Sequence, residues 1–291
     1  MPMSGTVTAS VVCALAAALL FAAASVAQQR SAEAVPAGES LVAALIRSPR
    51  WWAGVVGDGG GYLLQVAALA LGPVLVVQPL LVSSLLFALP LSAAFSGSRI
   101  TRPTWLTAAA LCAALVVFLV VGDPTAGEID APWHEWVLPL GAVCTAVSAA
   151  TAIGLLGHDP GTRAMALGAA SGLLYGVAVA FTKYVTDLFE HGLRPVVGAW
   201  QTWALLTAGL LGVYLQQRAF QAGPLAASLP AITIGEPLAA VFLGMTVLDE
   251  RLRVDGPGLA LVVASVAVML IATVALSRSQ ARLTAPDATG A

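Results

Sequence analysis

Long apolar blocks, each ended by a short polar or charged interruption, dominate this chain. Crossing the hydrocarbon core takes about 20 apolar residues at roughly 1.5 Å each, and that ruler predicts about nine transmembrane helices. They fall near 6–27, 51–71, 74–96, 103–122, 134–157, 163–187, 196–217, 224–247 and 256–276. The expected fold class is all-α, a polytopic membrane helix bundle. A shorter block at 40–49, SLVAALIRSP, cannot span and is expected to form an interfacial helix. The first block ends in ASVAQQ, which imitates a secretory cleavage site, but no basic residue precedes it and it is read as a retained helix.

Composition agrees with the pattern, since 59% apolar residues, 10% charged residues and 28 glycines depart from a soluble domain of this size. A net charge of -2, with no basic tail or arginine stripe, excludes nucleic acid as a partner. Cys13, Cys112 and Cys144 lie inside apolar blocks and read as small packing residues. His134, His158 and His191 fall in loops or at segment ends, without the spacing of a zinc enzyme. No phosphate-binding loop motif is present, so no cofactor and no direct ATP drive by this chain are expected, and no catalytic constellation emerges.

Arginines orient the bundle, because cytoplasmic loops carry excess positive charge. With the N-terminus outside, the inner loops hold Arg30, Arg47, Arg50, Arg99, Arg102, Arg163, Arg218, Arg278 and Arg282, against Arg194, Arg251 and Arg253 outside. The expected location is therefore the plasma membrane, N-terminus out and C-terminus in, with the Arg251/Arg253 loop as the exception.

An internal repeat accounts for the exception. ALLFAAASVAQQ from Ala18 matches GLLYGVAVAFTK from Gly172, LQVAALALGP from Leu64 matches LQQRAFQAGP from Leu215, and Pro79 aligns with Pro230. The offsets, 154 and 151, nearly agree. Four helices in 1–133 thus repeat in 163–291 on either side of a linking helix in 134–162, and the odd crossing inverts the second unit. Symmetry then places the DERLR loop outside despite its charge.

The tandem repeat, the Gly-Pro breaks and the charged loop LDERL resemble the drug/metabolite transporter superfamily, EamA-like, over nearly the whole chain. Within it, WWAGVVGDGGGYLLQVAALALGPVLVVQPL is similar to NIPA-type magnesium transporters, with Trp51, Trp52, Gly54, Pro73 and Pro79 matching. The Glu, Asn and Thr of that family's pattern fall on Tyr62, Gln65 and Gln78. The resemblance implies a secondary transporter, and its closer branch implies a divalent cation as substrate.

Glu236 and Pro237 interrupt an apolar run about twelve residues, or ~18 Å, into their helix, near the bilayer midplane. A charge there normally faces a cavity or a partner. The pair reads as a kink beside a polar cavity; the alternative is a carboxyl bridging helices. Lys183, the single lysine, follows Gly168, Gly172 and Gly176 on one helix face; it either reaches a binding site or snorkels outward to pair with Asp187. Asp58 precedes Gly59, Gly60 and Gly61, which suggests an unwound turn able to bind a cation, or else an N-cap in the headgroups. Gln65, Gln78, Gln216, Gln217 and Gln221 are candidates for a polar path, and Pro79 and Pro230 for gating kinks.

These residues support a secondary transporter of a small solute or ion by alternating access. A magnesium-type transporter and a non-transporting accessory subunit are the alternatives. The expected partners are the lipid bilayer and a small-molecule or ion substrate, with a homodimer left open.

Overall fold

A computed structural model describes residues 5–33, 46–96, 99–127, 131–254 and 256–283. Among them are eleven α-helices: α1 (Gly5–Glu33), α2 (Pro49–Leu71), α3 (Val74–Val82), α4 (Ser84–Ser96), α5 (Arg102–Gly122), α6 (Trp133–Leu156), α7 (Pro160–Leu188), α8 (Leu193–Gly198), α9 (Trp200–Ala222), α10 (Leu225–Thr246) and α11 (Pro257–Leu283). The protein is an all-α, polytopic membrane bundle. Eight stretches, in α1, α2, α3 with α4, α5, α6, α7, α10 and α11, are long and apolar enough to cross a bilayer. The ninth expected span is α9, which has the length but carries Gln201, Gln216, Gln217, Arg218 and Gln221. Of the expected interfacial helix at 40–49, residues 40–45 lie outside the described residues; Ser48 is the N-cap of α2, accepting from the Trp51 amide at 3.3 Å.

Two spans differ from their expected outlines. The third is divided at Ser83, whose amide bonds back to the Leu80 carbonyl at 3.0 Å, so α3 and α4 meet at a tight turn. Pro79 inside α3 and Pro90 inside α4 already remove ladder donors on either side of it. The seventh starts late, because the chain at 193–198 folds into α8 and Ala199 is extended before α9 begins.

The centre of the bundle is α7, the most enclosed span, packed against α10, α9, α6 and α2. Gly168, Gly172 and Gly176 recur every fourth residue and bring its backbone onto that of α10. A methyl group at Gly172 would lie 2.5 Å from the Ile232 carbonyl oxygen and 3.0 Å from the Gly235 Cα. Gly235 answers from α10, where a methyl would come within 3.1 Å of Gly172 Cα. Small residues therefore fix the spacing of the two helices, and through it the position of Glu236. On the other side of the molecule α1 packs on α2, α3 and α4, and α5 packs on α11.

One end of the bundle carries a two-residue antiparallel pairing of β1 (Pro124–Thr125) with β2 (Arg251–Leu252). It joins the loop after α5 to the loop after α10. Arg253 binds Asp123 at 3.0 Å and Arg251 binds Asp249 at 2.7 Å, so both arginines of the loop that breaks the charge rule meet carboxylates.

Gly172→Val should drive α7 and α10 apart and lower the melting temperature in detergent, with a cost of about 1–3 kcal/mol for overpacking. Gly141→Ala, inside α6 where an added methyl meets nothing within 4 Å, should not lower it.

Candidate functional site

A cavity of about 590 Å³ lies where α2, α3, α7, α9 and α10 converge. Its walls are mostly apolar, with Phe21, Leu81, Val82, Leu205 and Ile232 among them. Tyr62, Gln65, Gln78, Tyr175, Thr233 and Glu236 add polar groups, and Pro237 lies beside them. Glu236, Gln65, Gln78 and Pro237, four of the positions singled out in the sequence, are thus brought to one site. Helix α10 runs unbroken through Pro237, and the Thr233 hydroxyl turns back to the Leu229 carbonyl at 2.8 Å. Among the described residues no ion pair involves Glu236, which is half-buried. Gln78 is 1% exposed, and its Nε2 has no hydrogen-bond partner. The Tyr62 hydroxyl lies 3.2 Å from Thr182 Oγ1. The Tyr175 hydroxyl donates to Gln216 Oε1 at 2.6 Å, which places Gln216 just behind the wall.

Other expected positions lie elsewhere. Asp58 is on an unbroken helix and accepts from Gln28 Nε2 of α1, so it is neither in an unwound turn nor an N-cap. Of the three glycines after it, Gly60 and Gly61 face Leu20 and Phe21 of α1, and Gly59 faces open space. Their smallness serves the α1–α2 contact rather than a bend. Gln217 and Gln221 are exposed, and Pro79 and Pro230 are buried inside their helices without lining the cavity.

Lys183 neither snorkels nor faces the cavity. It is 7% exposed, and its Nζ donates to the Leu69 carbonyl at 2.7 Å, in the last turn of α2. Two residues beyond the end of α2, at Gly72 and Pro73, the chain is extended, and α3 begins with no side-chain cap of its own. Glu250, 1% exposed, supplies one: it accepts from the Val74 amide at 2.7 Å and the Leu75 amide at 2.8 Å. Cation at a helix C-terminus and anion at the next helix N-terminus both match the helix dipoles. Glu250 was placed by the sequence only in an outer loop; the signal was a helix start preceded by Pro73, which has no capping oxygen. Gln65, Gln78 and Val179 each sit four residues from a clamped position, so the clamp covers one end of the cavity.

The bundle, with a partly open and mostly apolar cavity that carries a few polar groups, defines a polytopic membrane protein. Over 278 residues, 93% of this chain and 95% of the other, it is 38% identical to the uncharacterized protein Cgl0250/cg0304 of Corynebacterium glutamicum. The chain belongs to the family of that corynebacterial protein. No family model matches it. No solved structure matches it either.

Burial pushes the Glu250 carboxyl up to about 7, while the Leu75 and Val74 amides and Lys183 pull it back. The folded chain holds this proton more tightly than the unfolded chain, whose carboxyl titrates near 4.5. Glu250 therefore lowers folding stability as pH rises from about 4.5 through about 7. Replacement by glutamine should flatten that part of the melting-temperature profile; an unchanged slope in Glu250→Gln would remove the assignment.

Proposed function

We propose that this protein is a secondary transporter of a small solute or ion, working by alternating access. The observation that carries the reading is the cavity itself, which holds a single unpaired carboxylate among helices from both halves of the chain. The sequence repeat supports it, with 1–133 and 163–291 as inverted units around the helix in 134–162. In matching roles, α1 packs on α2, α3 and α4, while α7 packs on α9 and α10. Resemblance to the drug/metabolite transporter superfamily points the same way. Tyr62, Gln65 and Gln78, where the NIPA-type pattern has Glu, Asn and Thr, all line this cavity. The same site thus serves here with a phenol and two amides, and a divalent-ion substrate is the second reading.

Alternating access needs a closed end, and the clamp of Lys183 and Glu250 fits that role. It joins α7 and the loop after α10 to the α2–α3 junction, one unit to the other. Opening that end would break three hydrogen bonds while leaving the glycine contacts of α7 and α10 intact. We place the clamped end outside, with the N-terminus, and the C-terminus in the cytoplasm. The pairing of β1 and β2 and the Asp123–Arg253 ion pair support a shared side for both loops and offset the positive charge of one.

A screen of solute and divalent-ion uptake in proteoliposomes tests the function. Glu236→Gln should fold and reduce substrate-dependent flux by about tenfold or more, as expected for a group that meets the solute in transit. Native flux in that variant removes Glu236 from the mechanism, and absence of flux for every solute favours an accessory subunit.

Topology is tested by single cysteines in a background lacking Cys13, Cys112 and Cys144. An impermeant thiol reagent should label Ala126→Cys but not His158→Cys in intact cells. The reverse pattern overturns the orientation.

A further inference from the structure

Resting on the transporter reading, we infer that the solute is an organic monocation: an amine on an apolar body that also carries a hydrogen-bond-accepting oxygen. Charge balance is the first argument. Glu236 is the carboxylate on the cavity wall, and no Lys, Arg or His among the described residues lines it. Lys183, one turn from Val179, is directed to the Leu69 carbonyl and faces the charge of Glu250. An anionic solute would enter a space with one negative charge and no positive one, and a buried charge without a partner is strongly disfavoured. A monocation instead neutralises Glu236 and removes an unpaired carboxylate from an apolar wall.

The remaining donors and acceptors separate an organic cation from a metal ion. A hard divalent ion takes about six or more oxygen ligands, carboxylates, carbonyls and waters among them. One carboxylate would leave a net positive charge against apolar walls. No group of three or more His, Cys, Asp or Glu residues able to hold a metal occurs among the described residues. The volume, about 590 Å³, is that of a site for a small organic molecule. Phe21 and Tyr62 place aromatic surface beside it, which favours a cation with an apolar body.

Gln78 supplies the second recognition point. Gln78 lines the same cavity as Glu236, and its Nε2 is a buried N–H donor without a partner. Such a donor selects a ligand that brings an acceptor and discriminates against an analogue lacking it. The solute is therefore held at two points, ammonium to Glu236 and hydroxyl, ether or carbonyl oxygen to Gln78, with its apolar part against the walls.

The test is binding of four probes to the full chain in lipid nanodiscs by calorimetry: phenylalaninol, 2-phenylethylamine, 3-phenylpropionate and Mg²⁺. Phenylalaninol should bind about tenfold more tightly than 2-phenylethylamine, which lacks the oxygen. Glu236→Gln should weaken both amines by about tenfold or more, and Gln78→Met should narrow the gap between them. The comparison of the two amines on the native chain needs no variant, so it stands if Gln78→Met fails to fold. Tighter binding of 3-phenylpropionate or Mg²⁺ than of the amines overturns the inference, as does absence of amine binding or equal binding of the two amines. Each of those results leaves the transporter reading to the solute screen, where Mg²⁺ flux sensitive to Glu236→Gln would keep transport and discard the organic cation.

Discussion

Two helices that meet at a buried break leave carbonyls at the end of one and amides at the start of the next, and neither set can stay unpaired. At the α2–α3 junction that need is met by residues far away in sequence: Lys183 lies 114 positions from Leu69, and Glu250 lies 176 from Val74. The two side chains are themselves buried, so each depends on the backbone groups it satisfies. This reciprocal dependence ties α7 and the loop after α10 to the first half of the chain. Gly72 and Pro73 are extended between the clamped groups, and Gln65 and Gln78, on the helices either side of them, line one cavity.

Where the clamp holds the end of the cavity, glycine holds its side. The close backbone contact of α7 and α10 leaves Glu236 little freedom to shift relative to Tyr175, which lines the same space. The two mechanisms differ in how they can change. Backbone contact between small residues has no alternative partners and makes a rigid pair, whereas hydrogen bonds from flexible side chains can be exchanged for water. A moving part is therefore expected at the charged end and not along the glycine seam.

Much of this was legible in the sequence because it depends on length and local chemistry. Eight of the nine expected blocks hold stretches long and apolar enough to cross a bilayer, the Gly168, Gly172 and Gly176 spacing became a close contact, and the acid in α10 came to a cavity with Gln65 and Gln78. The rest depends on which distant element returns to which end. The depth of Lys183 along its helix suggested an outward reach, but depth carries no information about the Leu69 carbonyl beside it. Glycines after Asp58 suggested an unwound turn, yet the same smallness is used by Leu20 and Phe21 of α1. Glu250 was the clearest miss: a Glu in a short charged loop looks solvated until the uncapped helix start that needs it is known.

Lys183 has a further consequence for the chemistry of the molecule. It carries the chain's single side-chain amine, and in the clamped arrangement that amine is enclosed against a carbonyl. Acylating and reductively alkylating reagents thus have no accessible lysine on the folded surface. Modification at this position would therefore require separation of α2 from α7, so the chain's own lysine is a reporter of that contact without any engineered label.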